Sequence, residues 1–339
     1  MQRELIRLPP ETRPILTAVI HTEEEFDWSK PHDRHATGVE HMRHIGRAQE
    51  IFDEHGIVPN YVVDYPIASQ DAAIRPLKSF VDQGRALIGA HLHPWNTPPL
   101  SEAFEPRNSM AKNLPAQLQL AKIRTLTAAL QEAFGGRLSA FRAGRYGIGP
   151  DTIAALVACG YRVDSSVNPF ASLEEVDDGP TFVGAPLKRY LLAPHRDVRE
   201  PAPHGEGTIV EMPLSNGFNR GPFSVWDRVR RTLEAPPWRW LRLPGIASRL
   251  GLARRVSLSP EYQSVDDMLT LSARLLDHGV RQLHISWHTP SLKPGLSPFT
   301  RTAADVERLH ASIEAYVEGL ARLTSFRPAT VGEAAALLA

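Results

Sequence analysis

Apolar residues recur along this chain with two alternating periods. Short β-rich runs at Ile15–Ile20, Asn60–Val63, Ala86–Ala90, Leu138–Phe141, Tyr161–Asp164, Thr208–Met212 and Gln282–Ser286 predict seven strands. Between them lie stretches with one apolar face. Gly38–His55 places Ile45, Ala48, Ile51 and Phe52 on such a face and stops at Gly56. Asp71–Asp82 reads as a helix interrupted by Pro76. Leu114–Phe134 carries Pro115 in its first turn and Gly135-Gly136 beyond its end. Pro150–Ala158, Val265–Asp277 and Ala303–Leu323 complete the helices. Strand followed by helix, repeated, predicts an α/β fold with a parallel sheet, open or closed into a barrel.

The stretch Gly217–Glu261 breaks this rhythm. Between Arg220 and Arg255 it holds nine Arg against only Asp227 and Glu234, with Trp226, Trp238 and Trp240 among them. It reads as an insertion after the sixth strand of one domain spanning residues 1–339. One reading is a flap packed on the barrel. The other is a docking surface for an anionic, lipid-linked glycan at the inner membrane face. Tryptophan favours the headgroup interface, and each Arg near an anionic surface adds about 1 kcal/mol.

Composition then narrows the classes. Lys+Arg and Asp+Glu are 38 each, so the formal net charge is zero, which argues against a nucleic-acid binder. The single Cys159 forbids an internal disulfide and points to a reducing cytoplasm. No apolar run approaches the roughly 20 residues of a membrane span, and the N-terminus lacks the apolar core of a secretory signal. The 14 His invite a search for metal or acid–base chemistry.

Reactive residues fall at the ends of the expected strands. His21, Glu23, Glu24, Glu25 and Asp27 follow the first, Asp64 ends the second, and His91 and His93 follow the third. Arg142, Arg145 and Tyr146 follow the fourth, Asp164 ends the fifth, Glu211 lies in the sixth, and His288 follows the seventh. In βα folds the carboxyl ends of the strands open onto one face, which carries the site. His91 and His93, two apart on an extended segment, point the same way. Two imidazoles and one carboxylate make a zinc set with an open position. An Arg142–Asp164 ion pair is expected beside it, and His288 is a candidate acid–base group. His284 reads as a structural histidine, and His41 and His44 as rim residues.

Together these stretches resemble the polysaccharide deacetylase superfamily (NodB homology, carbohydrate esterase family 4), and more closely its WalW-like branch. Its members look like cell-surface polysaccharide or lipopolysaccharide biosynthesis proteins. The resemblance rests on Thr22–Trp28, Asn60–Pro66, Ile88–Trp95, Phe141–Pro150, Val163–Val167 and Ile285–Leu292. It implies a distorted (β/α) barrel of about seven strands and a metal-dependent hydrolase, with zinc as the divalent metal, that removes N-acetyl groups from a sugar or lipid-linked glycan. By motif, Glu23, His91 and His93 take the metal. His21 stands where the family has its Asp base, and Trp95 where it has its second metal histidine. Arg142 matches the residue that orients the base and Asp164 that arginine's partner. Tyr146 falls at a backbone oxyanion donor, and His288 at the general acid. A histidine in the base position implies an imidazole base, an added metal ligand, or a weak or silent glycan-binding protein on the same scaffold.

Overall fold

In this computed structural model residues 13–30, 32–235 and 254–337 are described. The strands are β1 (Ile15–Thr22), β2 (Asn60–Val63), β3 (Leu87–Leu92), β4 (Phe141–Ala143), β5 (Val163–Asp164), β6 (Tyr190–Leu192), β7 (Ile209–Glu211), β8 (Asn216–Phe218), β9 (Arg255–Ser257), β10 (Gln282–Ile285) and β11 (Arg327–Pro328). The helices are α1 (Ile45–Glu54), α2 (Tyr65–Ala68), α3 (Asp71–Asp82), α4 (Ala116–Phe134), α5 (Pro150–Ala158), α6 (Phe223–Glu234), α7 (Val265–Asp277), α8 (Ala303–Leu323) and α9 (Val331–Ala336).

Nine strands form one curled sheet in the order β10-β1-β2-β3-β4-β5-β7-β6, with β11 added beside β1. All its pairings are parallel except β6 on β7. This is the expected (β/α) barrel, in distorted form. Past the end of β10, the chain following β9 bridges to the chain leaving β7. Ser286 N donates to Leu258 O, and Leu258 N to Ser215 O, each at 3.1 Å.

Local sequence explains the helices. Thr302 caps α8 through Asp305, Ser264 caps α7 through Asp267 N, and Pro150 opens α5. Pro76 does not divide α3 as the sequence suggested. It removes one backbone donor, while Ala73 and Leu77 stay buried on the packed face and hold both halves in line.

Sheet register sorts the barrel interior into two layers. Ile15, Val19, Val62, Ala140, Val163 and Met212 form an apolar floor with Val331 and Ala334 of α9. Above it His21, His91, Arg142, Ser165, His284 and Ser286 point inward. The larger apolar core lies outside the sheet, under the helices. Short β6, β8, β9 and β11 had no strand-length apolar pattern in the sequence. Antiparallel β8 and β9 clamp the start and end of the Arg-rich stretch. Trp238 and Trp240 of that stretch lie outside the described residues.

Candidate functional site

The mouth of the barrel is a cleft of about 600 Å³ lined by His21, Glu23, His91, His93, Tyr146 and His288, among others. Strand β1 runs through Thr22, so His21 is the last inward residue of the strand rather than a loop residue. Glu23 follows it into the mouth. Its Oε2 lies 3.3 Å from His91 Nε2 and 3.4 Å from His93 Nε2. His21 Nδ1 stands 3.4 Å from His91 Nε2.

The second ring nitrogens fix the tautomers. His91 Nδ1 donates to Arg142 O at 3.1 Å, which leaves the Nε2 lone pair facing the cleft. His93 Nδ1 donates to Glu24 Oε2 at 2.8 Å. Glu24 Oε1 accepts from Trp95 Nε1 at 3.0 Å and Asn96 Nδ2 at 2.8 Å. Carboxylate, histidine and cleft thus form the relay that orients metal-binding histidines in many proteins. Trp95, where the resemblance expects a second histidine, stacks on His93 with centroids 4.1 Å apart.

The acidic run divides into four environments. Glu23 faces the histidines and Glu24 supports His93 from behind. Glu25 Oε1 accepts from His41 N at 2.7 Å, with His41 Nδ1 at 3.2 Å. Asp27 is exposed on Ser29 and Lys30. His41 is a correction: it is fully buried rather than on the rim, and its Nε2 lies 2.9 Å from Thr289 Oγ1. Asp64 caps α2 through Ile67 N and accepts from Glu24 N at 2.8 Å.

Electrostatics follow from enclosure. Burial and neighbouring His93 push His91 down to about 4. For His93 burial opposes charge, but Glu24 and Glu23 outweigh it and raise its pKa well above the usual histidine value. Glu23 is also penalised by burial, yet His288, His91 and His93 hold its carboxyl below the usual range. Burial and Glu24 push Asp64 well up.

Arg142 crosses the interior. It donates from Nε to Ser165 O, from Nη1 to His21 Nε2 and Ser286 Oγ, and from Nη2 to Ser165 Oγ and His284 Nε2, all at 2.7–2.9 Å. All five N–H groups are used, none on a carboxylate. The expected Arg142–Asp164 ion pair therefore does not form. Register explains why: Asp164 pairs with Phe141, so it shares that residue's outer face, while Arg142 points inward. Asp164 accepts from Ser166 Oγ at 2.7 Å, and Ser166 Oγ accepts from Ala143 N at 2.9 Å. It thereby fixes the end of β4. It also faces Glu211, its register partner, whose pKa burial and Asp164 raise well above the usual value.

After β4 the chain turns sharply. Arg145 and Tyr146 have φ of 53° and 57°, a region side chains rarely occupy. An ion pair from Arg145 Nη1 to Asp177 Oδ2 at 2.7 Å holds this turn. Gly144 is required there, since a Cβ would lie 2.5 Å from Leu92 O and 2.6 Å from His93 Cδ2. Tyr146 is consequently placed edge-on to His21, with centroids 6.2 Å apart.

His288 closes the far wall. Its Nδ1 donates to Glu261 Oε2 at 2.8 Å, and its ring lies 4.3 Å from that of His21. Burial opposes its charge, but Glu261 and Glu23 raise its pKa. Glu261 had no sequence signal, because its partner is 27 positions away. Glu24 had one, as the neighbour of Glu23 in an acidic run.

Imidazole and carboxylate donors suit a divalent metal, and two of the three separations within Glu23, His91 and His93 fit one. Ligand bonds of about 2.0–2.1 Å around tetrahedral zinc place donor atoms roughly 3.3–3.4 Å apart. The separations of Glu23 Oε2 from the His91 and His93 nitrogens match that edge. Glu23 Oε1 is buried without a partner. Among the described residues two groups bring ligand atoms within 4.8 Å of one another, His21–Glu23–His91 and Glu24–Asp64–His93.

No protein-family model matches the chain, and no curated protein is detectably similar in sequence. Solved structures are similar in shape. A candidate polysaccharide deacetylase from Mycobacterium smegmatis superposes with a TM-score of 0.55 at 14% identity, over 99% of this chain and 93% of that one. A candidate glycoside hydrolase/deacetylase from Parabacteroides distasonis gives 0.56 at 11% identity, over 97% and 73%. The curled parallel sheet thus has the polysaccharide-deacetylase (NodB-type) fold.

Proposed function

We propose that this protein is a divalent-metal-dependent deacetylase acting on the N-acetyl group of a sugar or polysaccharide, in the WalW-like branch and serving cell-surface polysaccharide biosynthesis. The observation that carries this reading is the spacing of Glu23, His91 and His93 beside the Glu261–His288 pair. Those three residues would hold the metal, with zinc favoured by the mixed imidazole and carboxylate donors. When bound, the ion supplies Lewis acidity that polarises a carbonyl and acidifies water.

The other residues divide the remaining work. His288, charged through Glu261, donates a proton to the leaving amine from Nε2. The Gly144–Tyr146 turn offers backbone N–H groups towards a developing oxyanion. Arg142 positions His21, and Asp164 positions the turn through Ser166 and Ala143. The substrate is an N-acetylated carbohydrate, taken here to be lipid-linked and met at the inner face of the cytoplasmic membrane. No helix among the described residues is long and apolar enough to cross a membrane, so contact there falls to the 217–261 stretch, where Arg228 is exposed.

A second reading, a silent glycan-binding protein, is favoured by one observation. Arg142 has no lone pair, so its bond to His21 Nε2 puts the His21 proton on Nδ1. Burial, His288 and Arg142 also keep His21 neutral. The nitrogen facing the cleft then cannot accept a proton. Acetate release from N-acetylglucosamine oligomers decides between the two. Zinc-restored protein is expected to release acetate and chelator-treated protein none. Absence of release from zinc-loaded protein would leave the binding reading.

The role of His288 has its own test. Its acid form is active, so the rate should fall as pH rises through its pKa. Glu261→Gln removes the charge that raises this pKa and should move the alkaline limb to lower pH. An unmoved limb would assign the acid elsewhere.

A further inference from the structure

Two arginines lining the barrel interior, Arg142 buried and Arg255 half-buried, have opposite environments. Arg142 uses all five N–H groups on protein acceptors. Arg255, in β9, gives one from Nη2 to Asn168 Oδ1 at 3.2 Å. Its other four have no protein partner among the described residues, and no described carboxylate pairs with it. The neighbouring arginines differ: Arg230 and Arg231 pair with Asp227, and Arg254 with Asp267. Burial and Arg230 pull the Arg255 pKa down, against Tyr146, Glu234 and Asp227, which raise it.

Arg255 lines a second cavity of about 430 Å³ that opens beside the first. His21, Tyr146, Tyr262 and His288 are walls of both. A ligand filling the two would therefore pass the imidazole cluster. The new arm is polar and under-satisfied. Asn216 Oδ1, Ser259 Oγ and Gln263 Oε1 are buried without partners. Asn168 Oδ1 accepts from Asn216 Nδ2 at 2.7 Å as well as from Arg255, which steadies the guanidinium.

We propose that this arm binds an oxyanion carried by the substrate sugar, a carboxylate or a phosphate ester, with Arg255 as its receptor. The proposal rests on the deacetylase reading for the N-acyl group next door. A guanidinium presents paired N–H groups that match either anion in bidentate fashion. Half-buried, and with four N–H groups free of partners among the described residues, the guanidinium can take an incoming anion without giving up a protein carboxylate. The orphaned amide and hydroxyl oxygens of the arm suit the hydroxyls of the same sugar.

Titration calorimetry with three probes tests this: N-acetylglucosamine, N-acetylglucosamine 6-phosphate and N-acetylmuramic acid. In the zinc-loaded wild type at low salt, at least one acidic sugar should bind about tenfold tighter than the neutral one or better. The two acidic probes separate phosphate from carboxylate. Arg255→Gln should abolish the preference, and Arg255→Lys, which keeps charge but loses the fork, should retain part of it. Equal binding of neutral and acidic sugars, no binding of either acidic sugar, or a preference unchanged in Arg255→Gln would overturn the proposal. If Arg255→Gln does not fold, Arg255→Lys and loss of the wild-type preference at high salt carry the test. Acetate release from neutral oligomers is measured separately. Release without an acidic preference removes this subsite and leaves the deacetylase; a preference without release from any probe does the reverse.

Discussion

Replacing His21 by Asp is expected to raise the rate of acetate release by about 10²- to 10⁴-fold, the usual worth of a positioned general base. The side chain at 21 points inward between Arg142 and His91. An imidazole there offers one lone pair, and Arg142 takes it. A carboxylate has two oxygens and several lone pairs. One oxygen can accept from Arg142 while the other faces the cleft, so the same arginine that disables an imidazole would orient a carboxylate. The fold should tolerate the change, because the buried guanidinium gains a counter-charge. Retained zinc with no gain in rate would show that proton acceptance is not what limits this site. A His21→Ala variant as fast as wild type would place the base elsewhere, with Glu23 Oε1 a buried carboxylate oxygen without a partner.

Loss of either imidazole ligand should have the second large effect. His91→Ala or His93→Ala is expected to strip zinc from the purified protein and cut acetate release by about 10³-fold or more, since metal polarisation supplies several kcal/mol. Glu24→Gln should be milder, weakening zinc by roughly 10- to 100-fold, because it only orients His93. Metal content by mass spectrometry and far-ultraviolet circular dichroism separate ligand loss from unfolding. Full zinc occupancy in both alanine variants would remove Glu23, His91 and His93 as the ligand set. Retention in the His93 variant alone would remove His93 from the ligand set and leave Glu23 and His91.

Much of this architecture was written in local sequence. Strands β1 to β5, β7 and β10 and the long helices follow from periodicity, proline and glycine at helix ends, and capping residues, all short-range effects. Because strand ends converge in any βα fold, the list of mouth residues also followed, including His21, Glu23, His91, His93, Tyr146 and His288. The His-x-His spacing alone placed two imidazoles on one side. Partners were another matter. Asp164 lies at a strand end like the rest, yet register turns it to the outer face, and Arg142 is satisfied instead by Ser165, Ser286, His284 and His21. Strand pairing is a relation between distant segments, and a one-residue shift exchanges faces. Glu261 on His288, Trp95 stacked on His93, buried His41, and an Arg255 with no carboxylate partner among the described residues arise in the same way. Residue type and spacing determined which groups reach the mouth of this barrel. Only the packed sheet decided which nitrogen of His21 and of His91 carries the proton, because that is set by whatever faces the other side of the ring.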